Sequence, residues 1–271
     1  MKTHFFTTKM QGNPFVRYIS HPRWRWHIKT ACLILGFCQL LPVSAADLQA
    51  YTEEWPPYNY LVGENVKGIS TDILRASCKM AKIDCKVQLV PWLRAYKTVL
   101  ENQNTLIYSI ARTPQREKEF IWVGPILPRT TWIYSTAGMA ANVHTIQDLA
   151  KAKIGVIRGE ASQDELLAAG VPESSILVLN SNTDVMRMMK LGRINVVVNT
   201  EIGMALNLKN IGLSSGAVVK LMKLSDGGSL YFGVNLRSDP ALIAQLQMSI
   251  DKLKREKKIE AIVRRYIKVA R

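Results

Sequence analysis

The chain has 271 residues, 36 Lys and Arg against 21 Asp and Glu, a formal net charge of +15 and 48% apolar side chains. Beyond the first 46 residues it keeps one histidine, His144, and two of its four cysteines, so it offers no metal-ligand spacing and no Cys–His pair for nucleophilic chemistry. The length suits two modest hydrophobic cores.

The first 46 residues hold Lys2, Lys9, Arg17, Arg23, Arg25 and Lys29 and no acidic residue, then the apolar run Ala31 to Leu41, then Pro42-Val43-Ser44-Ala45-Ala46. That is the pattern of a secretory signal peptide, with a basic region, a short apolar core and a small-residue cleavage site. Its apolar core is too short to anchor in a bilayer. Met10 is an alternative start, and Phe37 beside Cys38 argues against a lipid attachment site. A periplasmic protein cut near Ala46 is expected. The six basic side chains of this leader account for six of the fifteen net charges, leaving +9. The run Lys252 to Lys258 alternates with Leu253 and Ile259, as on one face of an amphipathic helix rather than in a nucleic-acid patch. A weak attraction to anionic ligands or a membrane surface is left.

Asp47 to Thr52 reads as a strand. Glu53-Glu54-Trp55-Pro56-Pro57-Tyr58-Asn59-Tyr60 follows as an aromatic loop, because two prolines remove donors and fix the backbone. Gly68-Ile69-Ser70-Thr71-Asp72 opens a helix to about Ala81. A strand over Lys86 to Val90, the turn Pro91-Trp92-Leu93-Arg94 and a helix from Ala95 to Asn102 come next. An even pair of cysteines in an oxidising compartment, Cys78 and Cys85, favours a disulfide closing the short loop between the first helix and this strand.

The apolar run Leu106 to Ile110 then feeds Thr113-Pro114, which reads as a helix N-cap with proline at the first helical position. Free amides, the positive end of the helix dipole and the guanidinium of Arg116 would together make a socket for a carboxylate or phosphate. An extended segment over Thr130 to Thr136 leads to a second unit. There Thr145 and Asp148 cap a short helix, and Ile154 to Ile157 is a strand. Gly159-Glu160-Ala161-Ser162 leads into a helix over Gln163 to Ala169, followed by a strand over Ile176 to Leu179. Asn182 or Thr183 caps a helix over Asp184 to Leu191, and Val196 to Val198 is a buried strand. Extended segments over Val218 to Leu224 and Tyr231 to Val234 return the chain. Asp239-Pro240 then caps a helix to about Lys254, and Ile259 to Val269 forms a last helix. Alternation of strands and helices predicts α/β architecture, and two such units joined by two extended crossings make a cleft.

The export signal, Trp55-Pro56-Pro57-Tyr58, Gly68 with Asp72, Pro91-Trp92-Leu93-Arg94-Ala95, Arg112-Thr113-Pro114-Gln115-Arg116-Glu117, the Gly155 to Ser162 block, Gly192-Arg193-Ile194-Asn195 and the Lys-rich terminal helices occur in that order. Together they resemble the family 3 extracellular solute-binding proteins, the periplasmic amino-acid-binding type of ABC importers. The resemblance implies a type II periplasmic binding protein fold of two α/β lobes and two hinge strands. Lobe 1 would be 47–129 with 230–271, and lobe 2, inserted, 134–225. It implies that Arg116 grips a ligand carboxylate with help from Gly159, Ala161 and Ser162 on the other lobe. Trp55, Tyr58 and Trp92 would line the side-chain pocket. The implied partners are a small-molecule ligand and an ABC permease or membrane sensor, the chain acting as a monomer without cofactor.

Two departures from the amino-acid binders stand out. They usually carry glycine and threonine where this chain has Ser109 and Ala111, and Ala111 has no hydroxyl to donate. They also hold the ligand ammonium with an acidic residue where this chain has Thr200, beside Glu201. Either Glu201 or Glu54 substitutes, or the ligand is not a standard α-amino acid. The competing expectation is an enzyme on the same fold, a cyclohexadienyl-type dehydratase with Glu54 and Glu201 as its acid or base candidates.

Overall fold

The computed structural model describes residues 47–270; the expected signal peptide lies outside the described residues. Eight strands form one sheet in the order β4-β1-β5-β10-β6-β9-β7-β8. Its first triplet is parallel: β1 (Asp47–Thr52) pairs on one side with β4 (Asp84–Leu89) and on the other with β5 (Thr105–Ala111). Its last triplet repeats that order, with β7 (Ile154–Ile157) between β8 (Ile176–Leu179) and β9 (Val196–Asn199). Between the triplets run two long antiparallel strands, β6 (Ile121–Thr136) and β10 (Val218–Val234). The molecule is thus two α/β lobes joined by two strands.

In the first half, α1 (Ile69–Ala81) connects β1 to β4 after a small hairpin, β2 (Tyr60–Val62) with β3 (Asn65–Lys67); α2 (Trp92–Glu101) connects β4 to β5. All seven residues of β5 are buried, as expected of a strand covered on both faces. The C-terminal helices α7 (Pro240–Arg255) and α8 (Lys258–Ala270) return to this half, where Leu242, Leu246, Ile250 and Ile262 join Leu48, Ile73, Leu74 and Phe232 in one core. Asp239 caps α7 by accepting from the Ala241 amide at 2.8 Å, with Pro240 in the first turn. Tyr266 of α8 donates to Asp72 of α1 at 2.9 Å and accepts from the Gly68 amide at 3.2 Å. Gly68 has φ of 132°, and a Cβ there would lie 2.2 Å from the Tyr58 carbonyl oxygen, so only glycine fits. A disulfide joins Cys78 of α1 to Cys85 of β4, as expected from the sequence.

In the second half, α3 (Ala137–Ala140) and a short 3-10 turn with a Thr145–Asp148 capping box precede β7. Helices α4 (Ala161–Ala168), α5 (Asn182–Lys190) and α6 (Glu201–Asn210) follow β7, β8 and β9. A second core spans both halves, placing Trp92, Ala95 and Ile110 with Ile157, Met186 and Met204.

Three expectations are corrected. Thr113-Pro114 does not open a helix: residues 114–119 form turns, with Arg116 N donating to Thr113 O at 3.0 Å and Glu119 N to Arg116 O at 2.9 Å. Phe120, 3% exposed, is pulled into the core and the chain enters β6 one residue later, leaving no length for a helix. The strand expected from Thr130 begins at Ile121, its start hidden by Pro125 and Pro128, and the two returning segments are one strand, β10. The hairpin β2–β3 and helix α6 were not expected. Residues 201–210 bury glycine, methionine, asparagine and leucine, so no apolar stripe advertises a helix.

Candidate ligand-binding site

Both parallel triplets point their carboxyl ends at the gap between the halves, the usual binding position in α/β sheets. Glu53 and Trp55 follow β1; Ser109 and Ala111 end β5; Glu160, Ala161 and Ser162 follow β7; Asn199 ends β9. These, with Trp92, Arg116, Arg129, Thr131 and Val198, line one cavity of about 30 Å³. That holds roughly two waters. The halves are closed on it, and an amino acid enters only if they part.

Arg116 is 4% exposed although it sits on a turn. Its guanidinium lies 5.5 Å from the ring centroids of both Trp92 and Tyr96. It donates to Ala111 O at 3.3 Å and, across the gap, to Gly159 O at 2.8 Å. The cation–π contacts and low dielectric hold it extended toward the second half. Trp92 Nε1 donates to the same Gly159 oxygen at 2.8 Å. Further crossings run from Trp55 Nε1 to Asn199 Oδ1 at 3.3 Å and from Tyr58 Oη to Thr200 Oγ1 at 3.1 Å. The first amides of α4 have no acceptor within their own helix, so its positive end faces the cavity at Ala161 and Ser162.

Ser109 has φ of 63°, the left-handed region that favours glycine. Its Oγ donates to Asn59 Oδ1, which anchors this strained residue from the neighbouring loop.

The acidic groups differ from those expected. Glu54 is half-buried and lines an outer groove with Pro91 and Thr183; it is Glu53, 5% exposed, that faces the cavity. Glu201 lies on the surface, paired with Lys220. Thr200 caps α6, accepting from Gly203 N at 3.1 Å, and Tyr58 stacks behind Trp55 with ring centroids 4.4 Å apart; neither lines the cavity. Glu160, inside the nominated Gly159 to Ser162 block, faces Glu53 instead. The two carboxyls come from opposite sides of the gap and line the same small cavity. Burial pushes both pKa values up; the Glu160 charge raises Glu53 further, while Arg129 and Ser162 pull Glu160 partly back.

Arg129 was also missed. It is 7% exposed and held by Glu165 of α4 through bonds of 2.6 and 3.0 Å. A lone arginine inside the apolar crossing Ile126 to Trp132 was the available signal. Glu53 gave none, because the sequence does not say which of two adjacent glutamates in a proline loop turns inward. Thr131 Oγ1 is buried, lines the cavity and has no hydrogen-bond partner among the described residues. No cluster of three or more metal-ligating side chains occurs among the described residues, and no helix there is long and apolar enough to cross a membrane.

Comparison with known proteins gives a consistent picture. The model of the bacterial extracellular solute-binding proteins, family 3, matches residues 49–269. Among solved structures, an ancestral arginine-binding protein bound to arginine aligns with a TM-score of 0.72 at 16% identity, over 82% of this chain and 98% of that one. A histidine kinase sensor domain with similarity to periplasmic binding proteins aligns with a TM-score of 0.74 at 14% identity, over 82% and 96%. An ancestral amino-acid-binding protein, a precursor of cyclohexadienyl dehydratase, aligns with a TM-score of 0.69 at 17% identity, over 82% and 93%. At these identities the likeness is one of fold. No curated protein matches the chain.

Proposed function

Since this chain belongs to the bacterial extracellular solute-binding proteins of family 3, we propose that it is a periplasmic protein that captures a small polar, carboxylate-bearing solute, an amino acid or a relative of one. It does so by closing lobe 1, 47–129 with 230–271, on lobe 2, 134–225. It then delivers the solute to an ABC importer or a membrane sensor. The observation that carries this reading is Arg116, buried on one lobe with its donors spent on a carbonyl of the other. A guest carboxylate can take those donors together with the amides that begin α4, and such contacts exist only when the lobes are shut. Ligand affinity then drives closure by favouring one of two states. Trp55 and Trp92 supply rigid walls, and Ser109 and Ala111 the floor beside Arg116.

A thermal-shift screen against amino acids, polyamines and small carboxylates tests this. A cognate solute at a hundred times its dissociation constant adds about 2.7 kcal/mol of stability; a screen with no stabilising member counts against capture.

A second reading is favoured by Glu53, a buried carboxyl that lines the cavity beside Arg116 and whose pKa is pushed up by burial and by Glu160. Such a group suits a general acid, and the chain would then be a dehydratase of a carboxylated cyclohexadienyl ring. Turnover of such an acid by purified protein supports it; binding without turnover removes it.

A further inference from the structure

We propose that Glu53 and Glu160 are the cation subsite of this cavity: they share one proton across the cleft and release it when the ammonium or guanidinium group of a guest takes its place. The inference rests on the capture reading above and adds to it the net charge of the guest.

Glu53 stands on the loop after β1 and Glu160 precedes α4, so the pair is assembled only when the lobes meet. Two carboxyls brought together in a cavity of about 30 Å³ cannot both stay ionised cheaply, so they hold one proton between them. The other charged groups facing the pair are Arg116 from the turn after β5, Arg129 from β6 and Glu165 from α4. Ser162 Oγ donates to Glu160 at 3.1 Å. Independent of these carboxyls, Thr131 Oγ1 lines the same cavity, 3% exposed as a residue and without a partner among the described residues. An unpaired buried hydroxyl is costly to keep unless something is to bond it.

The charges balance in a way that selects the guest. Arg129 cancels Glu165, and Arg116 cancels the single negative charge of the proton-sharing pair, so the closed cavity is neutral. When a cation enters between the carboxyls, the shared proton leaves to solvent, and both glutamates become carboxylates. The cavity then carries one net negative charge, which a guest of net charge +1 neutralises. A cationic amino acid fits: its carboxylate meets Arg116 and one of its two cationic groups replaces the proton. A neutral zwitterion leaves one uncompensated buried charge and an acidic amino acid leaves two.

Two measurements on the intact mature protein test this. Infrared spectra at neutral pH are expected to show the carbonyl stretch of a protonated carboxyl, lost in Glu53→Gln; its absence from the unmodified protein, or its persistence in both Glu53→Gln and Glu160→Gln, overturns the shared proton. Calorimetry with L-arginine in two buffers of different ionisation enthalpy is expected to show release of about one proton per ligand. Affinity should rise about tenfold per pH unit while the pair holds its proton, and L-glutamine should bind at least about tenfold more weakly. Both pH effects should vanish in Glu53→Gln. No arginine binding, binding without proton release, or equal or tighter glutamine binding overturns the exchange. Should any amino acid bind the unmodified protein and not Arg116→Ala while these effects are absent, the capture reading stands and this inference falls.

Discussion

Arg116 Nη2 and Trp92 Nε1 converge on one acceptor, the Gly159 carbonyl oxygen, each at 2.8 Å, and both reach it from the opposite lobe. This shared acceptor fixes the closed geometry without fixing either lobe. Trp92→Phe keeps the ring against Arg116 and deletes only the crossing. The expected result is a closed form weakened by about 1 kcal/mol, the net value of one hydrogen bond. It would be read as a larger radius of gyration by small-angle scattering, with the melting temperature hardly changed.

Thr131 offers the opposite sign. Its hydroxyl is buried without a partner among the described residues, so Thr131→Val removes a desolvation cost and leaves the shape intact. Stability by denaturant titration is expected to stay level or rise by up to about 1 kcal/mol, while affinity for the solute found by screening falls about tenfold.

The Arg129–Glu165 pair is structural as well as electrostatic, with side chains 8% and 20% exposed. Glu165→Ala strands a buried guanidinium. Removing one member of a buried pair costs about 3–5 kcal/mol, a loss that urea unfolding will register; Arg129→Met with Glu165→Leu is expected to recover most of it.

Reaching back from α1 to β4, the Cys78–Cys85 bond closes a short loop far from the cavity. Replacing both cysteines by serine should cost about 2–3 kcal/mol by the loop-entropy relation and leave solute affinity unchanged in calorimetry.

Glu53 and Glu160 both have folded pKa values raised above their usual 4.5, chiefly by burial. Between the unfolded value and the raised one, the native state holds protons that the unfolded chain has lost. Stability therefore falls as pH rises through that window and levels off above it. Chemical denaturation from about pH 4 to pH 8 is expected to show that decline, and Glu53→Gln to flatten it.

Most of the fold was legible because strands such as Ile154–Ile157 and Ile176–Leu179 are short apolar runs bounded by turn residues. The Thr113-Pro114 signal misled because the sequence does not reveal that Phe120 is drawn into the core six residues later. Arg116 lines the cleft, and its setting is made by tertiary contacts with Trp92, Tyr96 and Gly159 rather than by a helix of its own. The acidic half of the site escaped because Glu160 sits where a pure anion socket would exclude it, and its partner Glu53 comes from more than a hundred residues away. Thr200 follows β9 at its cavity end, yet Asn199 is the residue turned into the cavity; a Cβ on Gly203 would lie 2.3 Å from the Asn199 Oδ1, so that glycine makes room for it.

The central claim is that a guest is held between the lobes by Arg116. Calorimetric titration of the solute identified by the screen, on the unmodified protein and on Arg116→Ala in parallel, tests it most directly. At least a hundredfold loss of affinity in the variant is predicted, since its guest carboxylate loses a charge-assisted partner in a buried site. Equal affinity in the two proteins would contradict the account.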